Sequence, residues 1–459
     1  MSTINQSPSP QLSNIQGMVI RGFTHPFSCH MIFKFQDKDK TGAKKFTKAI
    51  YPYVQSADNW GLLKPDMMVN IGFTFSGIST VSDLSKNELG AFPTVFKNGP
   101  TSNDSQLSLN DLGESDPGKW VFGSEQKPVD CIVHCYALSD EHLQRLVSIV
   151  KQAADDQKMT EYFPINNGSQ RLEEYATNPR NSIHFGYMDG IDQPDLKPDD
   201  PLDDSSSLGN FLIGFVPGSD PGPPPATAAG IFAKDGCYNA FRMLAQDVKC
   251  FDDFLEEQAL VIAPKLNRDQ DYAKEWLAAK LNGRWLIGSP LELSPEEPDP
   301  DTVRSTDFDY TNDLQGKKCP FAAHNRVSNP RSDPLKHPGP IPRLIRRGMA
   351  YGAPVVLKDY HGERGLIGLF LCGSLDIQFE LIYSWINATN FNTLKPKKPH
   401  GQDALIANRG VELADTSFSI PLENGQIEIK KLPQFVTAKG TAYCILPSLD
   451  ALKKIADLV

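Results

Sequence analysis

The sequence of 459 residues contains no apolar run that approaches the roughly 20 residues needed to cross a membrane. Its first residues, MSTINQSPSPQLSN, are polar and lack the apolar core of a secretory signal. Positive charge is also in deficit, because 46 Lys and Arg face 56 Asp and Glu and the net charge is −10. We therefore expect neither a membrane protein nor a nucleic-acid-binding protein. The expected location is extracellular if a leader has been removed and cytoplasmic otherwise.

Several common catalytic signatures are missing as well. The sequence has no P-loop, no dinucleotide-binding fingerprint and no recognisable Ser-His-Asp arrangement. A disulfide scaffold is not expected either, although eight cysteines are present. Most of them lie in apolar, strand-like segments that are typical of buried free thiols, namely Cys29, Cys131, Cys135, Cys372 and Cys444.

The first part of the chain has strand and helix patterns in a recognisable order. A helix is predicted at 44–54, and a second one begins after Ser139, where apolar residues recur at helical spacing. Alternating apolar and β-branched or aromatic residues predict strands at 18–23, 30–35, 68–75 and 129–138. The order β-α-β followed by β-α is typical of a ferredoxin-like sheet with helices on one face.

The second part repeats this order. Strands are predicted at 236–244, 366–373 and 441–446, and helices at 248–263, 375–387 and after Ser448. The predicted fold class is therefore α+β, with two ferredoxin-like units whose antiparallel sheets carry packed helices.

The length of the chain and two Pro- and Gly-rich stretches suggest where the units divide. A short strand is predicted between these stretches, at 210–215. We expect an N-terminal arm at 1–15, an N-terminal domain at 16–194, a linker at 195–230 and a C-terminal domain at 231–459. A long irregular insertion at 265–360 lies inside the last domain, and such insertions are usually functional.

One candidate for chemistry is the segment 181–190, NSIHFGYMDG. Asp189 lies in aromatic and apolar surroundings between Gly186 and Gly190, which allow a tight turn and a close approach to a ligand. An acid held in such surroundings is suited to acid–base catalysis. The alternative, which the local composition by itself favours, is a tight turn capped by an aspartate.

A second candidate is His324 in CPFAAHNRVSNPR, where small and apolar neighbours leave room for a large flat group. A neutral imidazole beside such a space suits an axial ligand of iron, and Arg326 and Arg331 could bind two carboxylates. A structural histidine is the alternative. In LIRRGMAYG, at least one of Arg346 and Arg347 should point inward and pair with an anion, either in a site or in a structural ion pair.

Together these segments resemble the dye-decolorizing peroxidase family, in particular its fungal branch. The similarity covers nearly the whole chain, and the matching segments occur in the family's order. They are NIQGMVIRGF at 14–23, HFGYMDG at 184–190, AAKLNGRWLIGSPL at 278–291, CPFAAHNR at 319–326 and RRGMAYG at 346–352.

The resemblance implies a haem b peroxidase with haem in the C-terminal unit. It assigns His324 as proximal iron ligand, Asp403 in HGQDALIA as the acid bonded to that histidine, and Arg331 as the partner of a haem propionate. It assigns Asp189 and Arg346 as the distal acid–base and the charge-stabilising residue. The residue that lines the distal pocket remains open among Leu366, Leu369, Phe370 and Leu371, and Phe370 is the one we take as a cofactor contact.

The implied reaction is reduction of hydrogen peroxide through a high-valent iron-oxo intermediate. Dyes and other bulky aromatic or phenolic donors would then be oxidised in one-electron steps, with Trp385 and Tyr351 as candidate surface radical sites. Asp359 and Glu363 near Tyr351 leave Mn²⁺ open as a further partner. A haem-binding protein without turnover and a hydrolase that pairs Asp189 with an acid of 295–313 remain alternatives. The sequence does not indicate the oligomeric state.

Overall fold

The architecture was obtained from a computed structural model, which describes residues 10–22, 24–58, 60, 63–166, 168–175, 182–196, 207–215, 222–334, 341–388, 402–409 and 416–458. The strands are β1 Phe27–Lys34, β2 Met67–Phe73, β3 Cys131–Ala137, β4 Thr160–Tyr162, β5 Leu172–Tyr175, β6 Cys237–Gln246, β7 Ile345–Arg346, β8 Ala350–Tyr351, β9 Gly365–Cys372, β10 Ser417–Pro421, β11 Gln426–Lys430 and β12 Val436–Leu446. The α-helices are α1 Lys40–Ile50, α2 Phe75–Val81, α3 Lys86–Gly90, α4 Thr94–Asn98, α5 Asn103–Leu109, α6 Asp140–Asp155, α7 Ala228–Ala233, α8 Val248–Leu266, α9 Gln270–Asn282, α10 His324–Ser328, α11 Leu381–Ala388 and α12 Leu449–Ile455.

The N-terminal half forms an antiparallel sheet in the order β2–β3–β1–β4. Helix α1 connects β1 to β2, and α6 connects β3 to β4, which is the split βαβ connectivity of a ferredoxin-like unit. Helix α6 begins where the Ser139 hydroxyl accepts a hydrogen bond from the backbone N–H of His142. It then buries Leu143, Leu146 and Val150 in one apolar cluster with the strands.

The C-terminal half has the order β12–β6–β9, with both β7 and β8 paired to the free edge of β9. Helix α8 follows β6, and α11 connects β9 to β12, so the strand order of the first half recurs. The predicted α+β fold with two ferredoxin-like units is confirmed. The domain limits expected at 16–194 and 231–459 stay a prediction.

The two sheets meet at both edges. Phe73 of β2 pairs with Ile445 of β12, and Glu174 of β5 pairs with Tyr351 of β8. The inward faces of both sheets therefore enclose one apolar cluster, while the helices cover the outward faces and form two further clusters. Among the helices of the described ranges, none is both long enough and apolar enough to span a bilayer.

Two local predictions were wrong, and a third was only partly correct. The segment predicted as a strand at 18–23 contains a short 3-10 helix, Gly17–Val19, because side chains rather than a backbone ladder attach it to β2. Met18 N donates to Asn70 Oδ1 over 3.2 Å. The predicted strand at 210–215 is a 3-10 helix, Leu208–Phe211, followed by a turn. The predicted helix at 375–387 is present, but its first part, Leu375–Glu380, is π-helical rather than α-helical and leads into α11.

Two histidines on neighbouring strands are buried. His30 of β1 and His134 of β3 are directly opposite each other in the strand register and are 1% and 0% exposed. Their Nδ1 atoms are 2.9 Å apart. Among the cysteines the expectation is confirmed, because all eight are free and seven are buried.

A buried ion pair attaches the connection after α5 to the second sheet. Arg242 of β6 donates to Asp111 over 2.9 Å, and the two residues are 2% and 1% exposed. Asp111→Ala should lower the free energy of unfolding by about 3–5 kcal/mol, because the guanidinium would remain buried without its carboxylate. Denaturant unfolding measures this change. Glu114→Ala, which breaks an exposed pair with Lys119, is the control and should leave stability unchanged. Equal effects of the two substitutions would contradict the prediction.

Candidate functional site

A cavity of about 790 Å³ lies beside the loop 182–196, helix α10 and strands β7 and β9. Asp189, His324, Arg346 and Phe370 all line it, although they are far apart in the sequence. The volume is within the roughly 300–1,000 Å³ typical of sites that enclose small ligands or cofactors. The fold therefore brings four of the predicted site residues to one space.

The loop that carries Asp189 is a tight turn. Ile183 N donates to Tyr187 O over 2.9 Å, and Gly186 has φ 87°, a left-handed conformation that favours glycine. Tyr187 anchors the turn, since its hydroxyl donates to Ala278 O over 2.8 Å. Asp189 Oδ1 accepts a bond of 2.7 Å from the backbone N–H of Gly190. The turn and the cavity position therefore occur together and are not alternatives.

His324 is the first residue of α10, and a buried acid orients its ring. Nδ1 lies 2.7 Å from Asp403 Oδ2, and Asp403 is 0% exposed. The other carboxylate oxygen, Oδ1, accepts from the backbone N–H groups of Leu405 and Ile406 over 2.9 and 2.8 Å. Because an ionised carboxylate only accepts hydrogen bonds, the proton belongs on Nδ1 and the lone pair on Nε2. This ring is prepared to coordinate a metal through Nε2.

Arg346 is held by the loop that carries Asp189. Its Nη2 donates to Ile191 O over 2.6 Å, and its backbone N–H donates to Gln193 Oε1 over 3.0 Å. The neighbouring Arg347 also lines the cavity, but its guanidinium donates to the carbonyls of Met18, Val19 and Ile20. Burial lowers the pKa of Arg347 to about 10. We expected an inward arginine to pair with an anion, but Arg347 bonds to three backbone carbonyls instead.

Neither of the two arginines that follow His324, Arg326 and Arg331, is among the cavity-lining residues of the described ranges. Arg326 is fully buried between Asp313 and Asp333, at 2.9 and 2.8 Å, so the suggestion that it binds a ligand carboxylate is wrong. Arg331 donates to Asp192 Oδ2 over 2.9 Å and to Thr306 O over 2.8 Å. Within the described ranges Arg331 is not among the cavity-lining residues, and its propionate role stays a prediction.

Asp192 is a site residue that the sequence reading missed. Its carboxylate accepts from Asn329, Arg331 and Arg343, and it lines the cavity together with Asn329 and Arg343. Burial acts to raise its pKa, but the charges of Arg343 and Arg331 outweigh burial and hold the pKa below the ordinary value. Two features of the sequence could have pointed to Asp192. It is a second acid, three residues after Asp189, and the other candidate segments contain several arginines that need an anionic partner.

The alternation of β9 decides which of its residues reach the cavity. Leu366 and Phe370 line it, whereas Leu369 and Leu371 are fully buried in the cluster between the sheets. Phe370 is opposite Arg346 in the register of β9 and β7. The aromatic ring and the guanidinium therefore belong to neighbouring strands of one cavity wall.

The two residues proposed as surface radical sites are buried. Trp385 is 7% exposed and belongs to a small apolar cluster with Val327, and Tyr351 is 1% exposed. A radical role at either residue stays a prediction. The suggested Mn²⁺ site stays a prediction. Within the described ranges no group of three or more His, Cys, Asp or Glu is placed to hold a metal ion. Glu363 Oε2 accepts a hydrogen bond from Asn166 N over 2.9 Å.

No family model matches the chain, but individual proteins do. The dye-decolorizing peroxidase msp1 of Mycetinis scorodonius is 26% identical over 504 residues, which cover 100% of this chain and 90% of that protein. A dye-decolorizing peroxidase of Mycena epipterygia is 30% identical over 308 residues, 60% of this chain and 57% of that protein. A solved dye-decolorizing peroxidase in complex with 2,6-dimethoxyphenol has a TM-score of 0.78 at 25% identity and covers 97% of this chain and 99% of that chain.

The fold of a single-residue mutant of the dye-decolorizing peroxidase from Pleurotus ostreatus also agrees, with a TM-score of 0.77, 24% identity, and coverage of 98% of this chain and 100% of that chain. Fold, cavity and relatives together define a peroxidase. Over nearly its whole length the chain is similar to fungal members of the dye-decolorizing peroxidase family. These proteins are haem peroxidases, so a haem cofactor is implied. The oriented imidazole of His324 in a large cavity fits such a cofactor.

Two buried acids, Asp313 and Glu292, lie in the segment before His324, and protonation of Glu292 affects the free energy of unfolding. Asp313 accepts from Arg326 and from the backbone N–H of Cys319, and Glu292 lies beside it. Burial, together with the charge of Asp313, raises the pKa of Glu292 to about 7. The folded protein therefore holds this proton more tightly than the unfolded chain, and stability falls as the pH rises from the ordinary pKa of 4.5 to about 7.

Glu292→Gln should remove this pH dependence. Relative to wild type, the variant should gain stability between about pH 5 and about pH 8, because only the wild type must then lose a proton or bury a charge. Urea unfolding at the two pH values measures the difference. Glu296→Gln, at an exposed position on the same segment, is the control. A constant difference between Glu292→Gln and wild type at both pH values would be incompatible with the raised pKa.

Proposed function

We propose that this chain reduces hydrogen peroxide at a haem b group held by His324, with Asp189 as the distal acid–base and Arg346 as the charge-stabilising residue. The donors proposed are dyes and other aromatic or phenolic compounds, each oxidised in one-electron steps. The observation that carries the proposal is the presence of Asp189, His324 and Arg346 on one cavity of about 790 Å³, with His324 bonded to a fully buried carboxylate.

The histidine and its acid would hold the cofactor. The haem, when bound, supplies the redox centre that takes two oxidising equivalents from peroxide. Asp403 strengthens Nε2 of His324 as a donor, because a hydrogen bond from Nδ1 to a carboxylate raises the basicity of the ring. The backbone N–H groups of Leu405 and Ile406 fix the carboxylate, so the ring has little freedom to rotate. The His324 ring is thus already oriented for iron before the haem binds.

Asp189 is the residue proposed to move the proton. It lines the cavity on a turn that Tyr187 anchors to Ala278 O, so its carboxylate has a fixed support. A carboxylate can accept the proton of the inner peroxide oxygen and return it to the outer oxygen, which then leaves as water. Both a direct transfer and a transfer through one water are compatible with this role.

Arg346 is the residue proposed to stabilise charge. A guanidinium remains protonated at all working pH values, so it does not compete for the proton that Asp189 moves. Its fixed positive charge lowers the energy of the negative charge that develops as the oxygen–oxygen bond separates. Its bond of 2.6 Å to Ile191 O holds it on the same loop as the acid. Acid and cation therefore keep one relative arrangement.

The donor class rests on the solved relative that binds 2,6-dimethoxyphenol. For donors too bulky to enter the cavity, Trp385 is the better of the two proposed relay residues, because it shares an apolar cluster with Val327 of α10, the helix that begins with His324. A hydrolase that pairs two carboxylates is less well supported. Of the acidic segment 295–313, Arg304 is the residue that lines the cavity, and it is not an acid.

Haem binding through His324 is testable by absorption spectroscopy. Apoprotein titrated with haemin should develop a Soret band at a one-to-one ratio, and His324→Ala should shift the band and weaken binding by about tenfold or more. His361→Ala, at an exposed position, is the matched control and should bind as wild type does. A wild-type protein that takes up no haem would overturn the proposed function.

The roles of the distal pair predict the rate of the reaction with peroxide. Asp189→Asn and Arg346→Leu should each slow that reaction by roughly 10²-fold or more, because a proton acceptor or a charge-stabilising group is removed. Stopped-flow spectroscopy of the haem-loaded protein measures the rate, with Asp195→Asn as an exposed control on the same loop. If Asp189→Asn reacts as fast as wild type, the acid–base assignment is wrong.

A further inference from the structure

We propose that Asp192 is a positioning residue for the reaction with peroxide: its carboxylate fixes the loop that carries Asp189 and thereby sets the place of Arg346 in the cavity. The inference deepens the proposed function and rests on it. Asp192 lies three residues after Asp189, and none of the roles derived above involves it.

The carboxylate of Asp192 connects three segments that surround the cavity. Its Oδ2 accepts from Asn329 Nδ2 over 2.8 Å and from Arg331 Nη2 over 2.9 Å. Its Oδ1 accepts from Arg343 Nη2 over 3.2 Å. Asn329 and Arg331 follow the helix that begins with His324, whereas Arg343 precedes β7. One side chain therefore joins the Asp189 loop to the segments that carry His324 and Arg346.

Asp192 also supplies the negative charge that pairs with Arg331 and Arg343. In the described parts of the chain, the ion pairs of both Arg331 and Arg343 are made with Asp192. Its side chain is 20% exposed, so solvent screens these attractions only in part. Removal of the carboxylate would take away the negative charge that Arg331 and Arg343 share in the described ranges, and the repulsion between the two guanidinium groups would shift the segments that they hold.

The effect reaches Arg346 through the backbone of the loop. Asp192 has φ 62°, a left-handed conformation in which Asp and Asn are better tolerated than most residues. In this conformation the carbonyls of Ile191 and Asp192 both accept from Arg346 Nη2, over 2.6 and 3.4 Å. The Arg346 guanidinium is thus bonded to the loop backbone, and the Asp192 side chain holds that backbone in place.

Asp192→Asn is a suitable variant, because asparagine has nearly the same size and also tolerates the left-handed conformation, while the charge is lost. The readout is cyanide affinity of the ferric haem-loaded protein, since a small anion on the iron depends on distal hydrogen-bond donors. Asp192→Asn should raise the cyanide Kd by about tenfold, because displacement of a positioned group by a fraction of an ångström weakens its interaction. Asp195→Asn, on the exposed part of the same loop, should stay within about twofold of wild type.

A double variant distinguishes positioning from general loosening. Arg346→Leu should itself weaken cyanide binding, and Asp192→Asn should add almost nothing in that background, because its effect acts through Arg346. An equal loss with and without Arg346 would overturn the inference, as would an unchanged Kd in the single variant. If Asp192→Asn does not fold, Asn329→Ala removes one donor to the same carboxylate, and it should shift the Kd in the same direction by a smaller factor.

The outcomes separate this inference from the proposed function. If Arg346→Leu leaves cyanide affinity unchanged, the role of Arg346 in the proposed function is wrong, and the inference falls with it. If Arg346→Leu weakens cyanide binding but Asp192→Asn does not, the proposed function stands and only the inference is overturned. Thermal unfolding of each apoprotein shows whether a variant is folded before haem is added.

Discussion

Two antiparallel sheets close around one core, and this closure determines where the irregular segments of the chain can lie. Helices cover one face of each sheet, and the other face is also apolar and must be buried. Facing the two inner surfaces toward each other buries both, and the contacts of β2 with β12 and of β5 with β8 complete the enclosure. The irregular segments that carry Asp189 and His324 lie outside this core. The cavity forms where those segments meet β7 and β9.

Within that frame, local sequence predicted the regular elements better than the irregular ones. The N-cap and apolar spacing of α6 and the apolar alternation of β1 to β3 are local signals, and they were sufficient. The segment at 18–23 has equally apolar residues, but distant side chains such as Asn70 decide its conformation. The burial of His30 and His134 likewise depends on their register across two strands, which the composition of either strand does not reveal.

The candidate site shows the same division. His324, Asp189 and Arg346 were predictable because each lies in a segment that resembles a known family, and the structure gathers them on one cavity. The partners of the remaining arginines were not predictable, since they depend on which carboxylates the fold brings near. Arg326 pairs with Asp313 and Asp333, and Arg331 pairs with Asp192. Charge balance across segments far apart in sequence is a tertiary property.

The eight free thiols, seven of them buried, have a further consequence in a chain that consumes an oxidant. Peroxide attacks the thiolate form of cysteine, so resistance to oxidation depends on how rarely that form is present. Burial raises the pKa of all eight thiols, which keeps them protonated, and the seven buried ones are also shielded from contact with peroxide. Cys250 on α8 is the least enclosed of them. Burial thus protects the thiols from oxidation, and damage by peroxide should begin at Cys250 on α8.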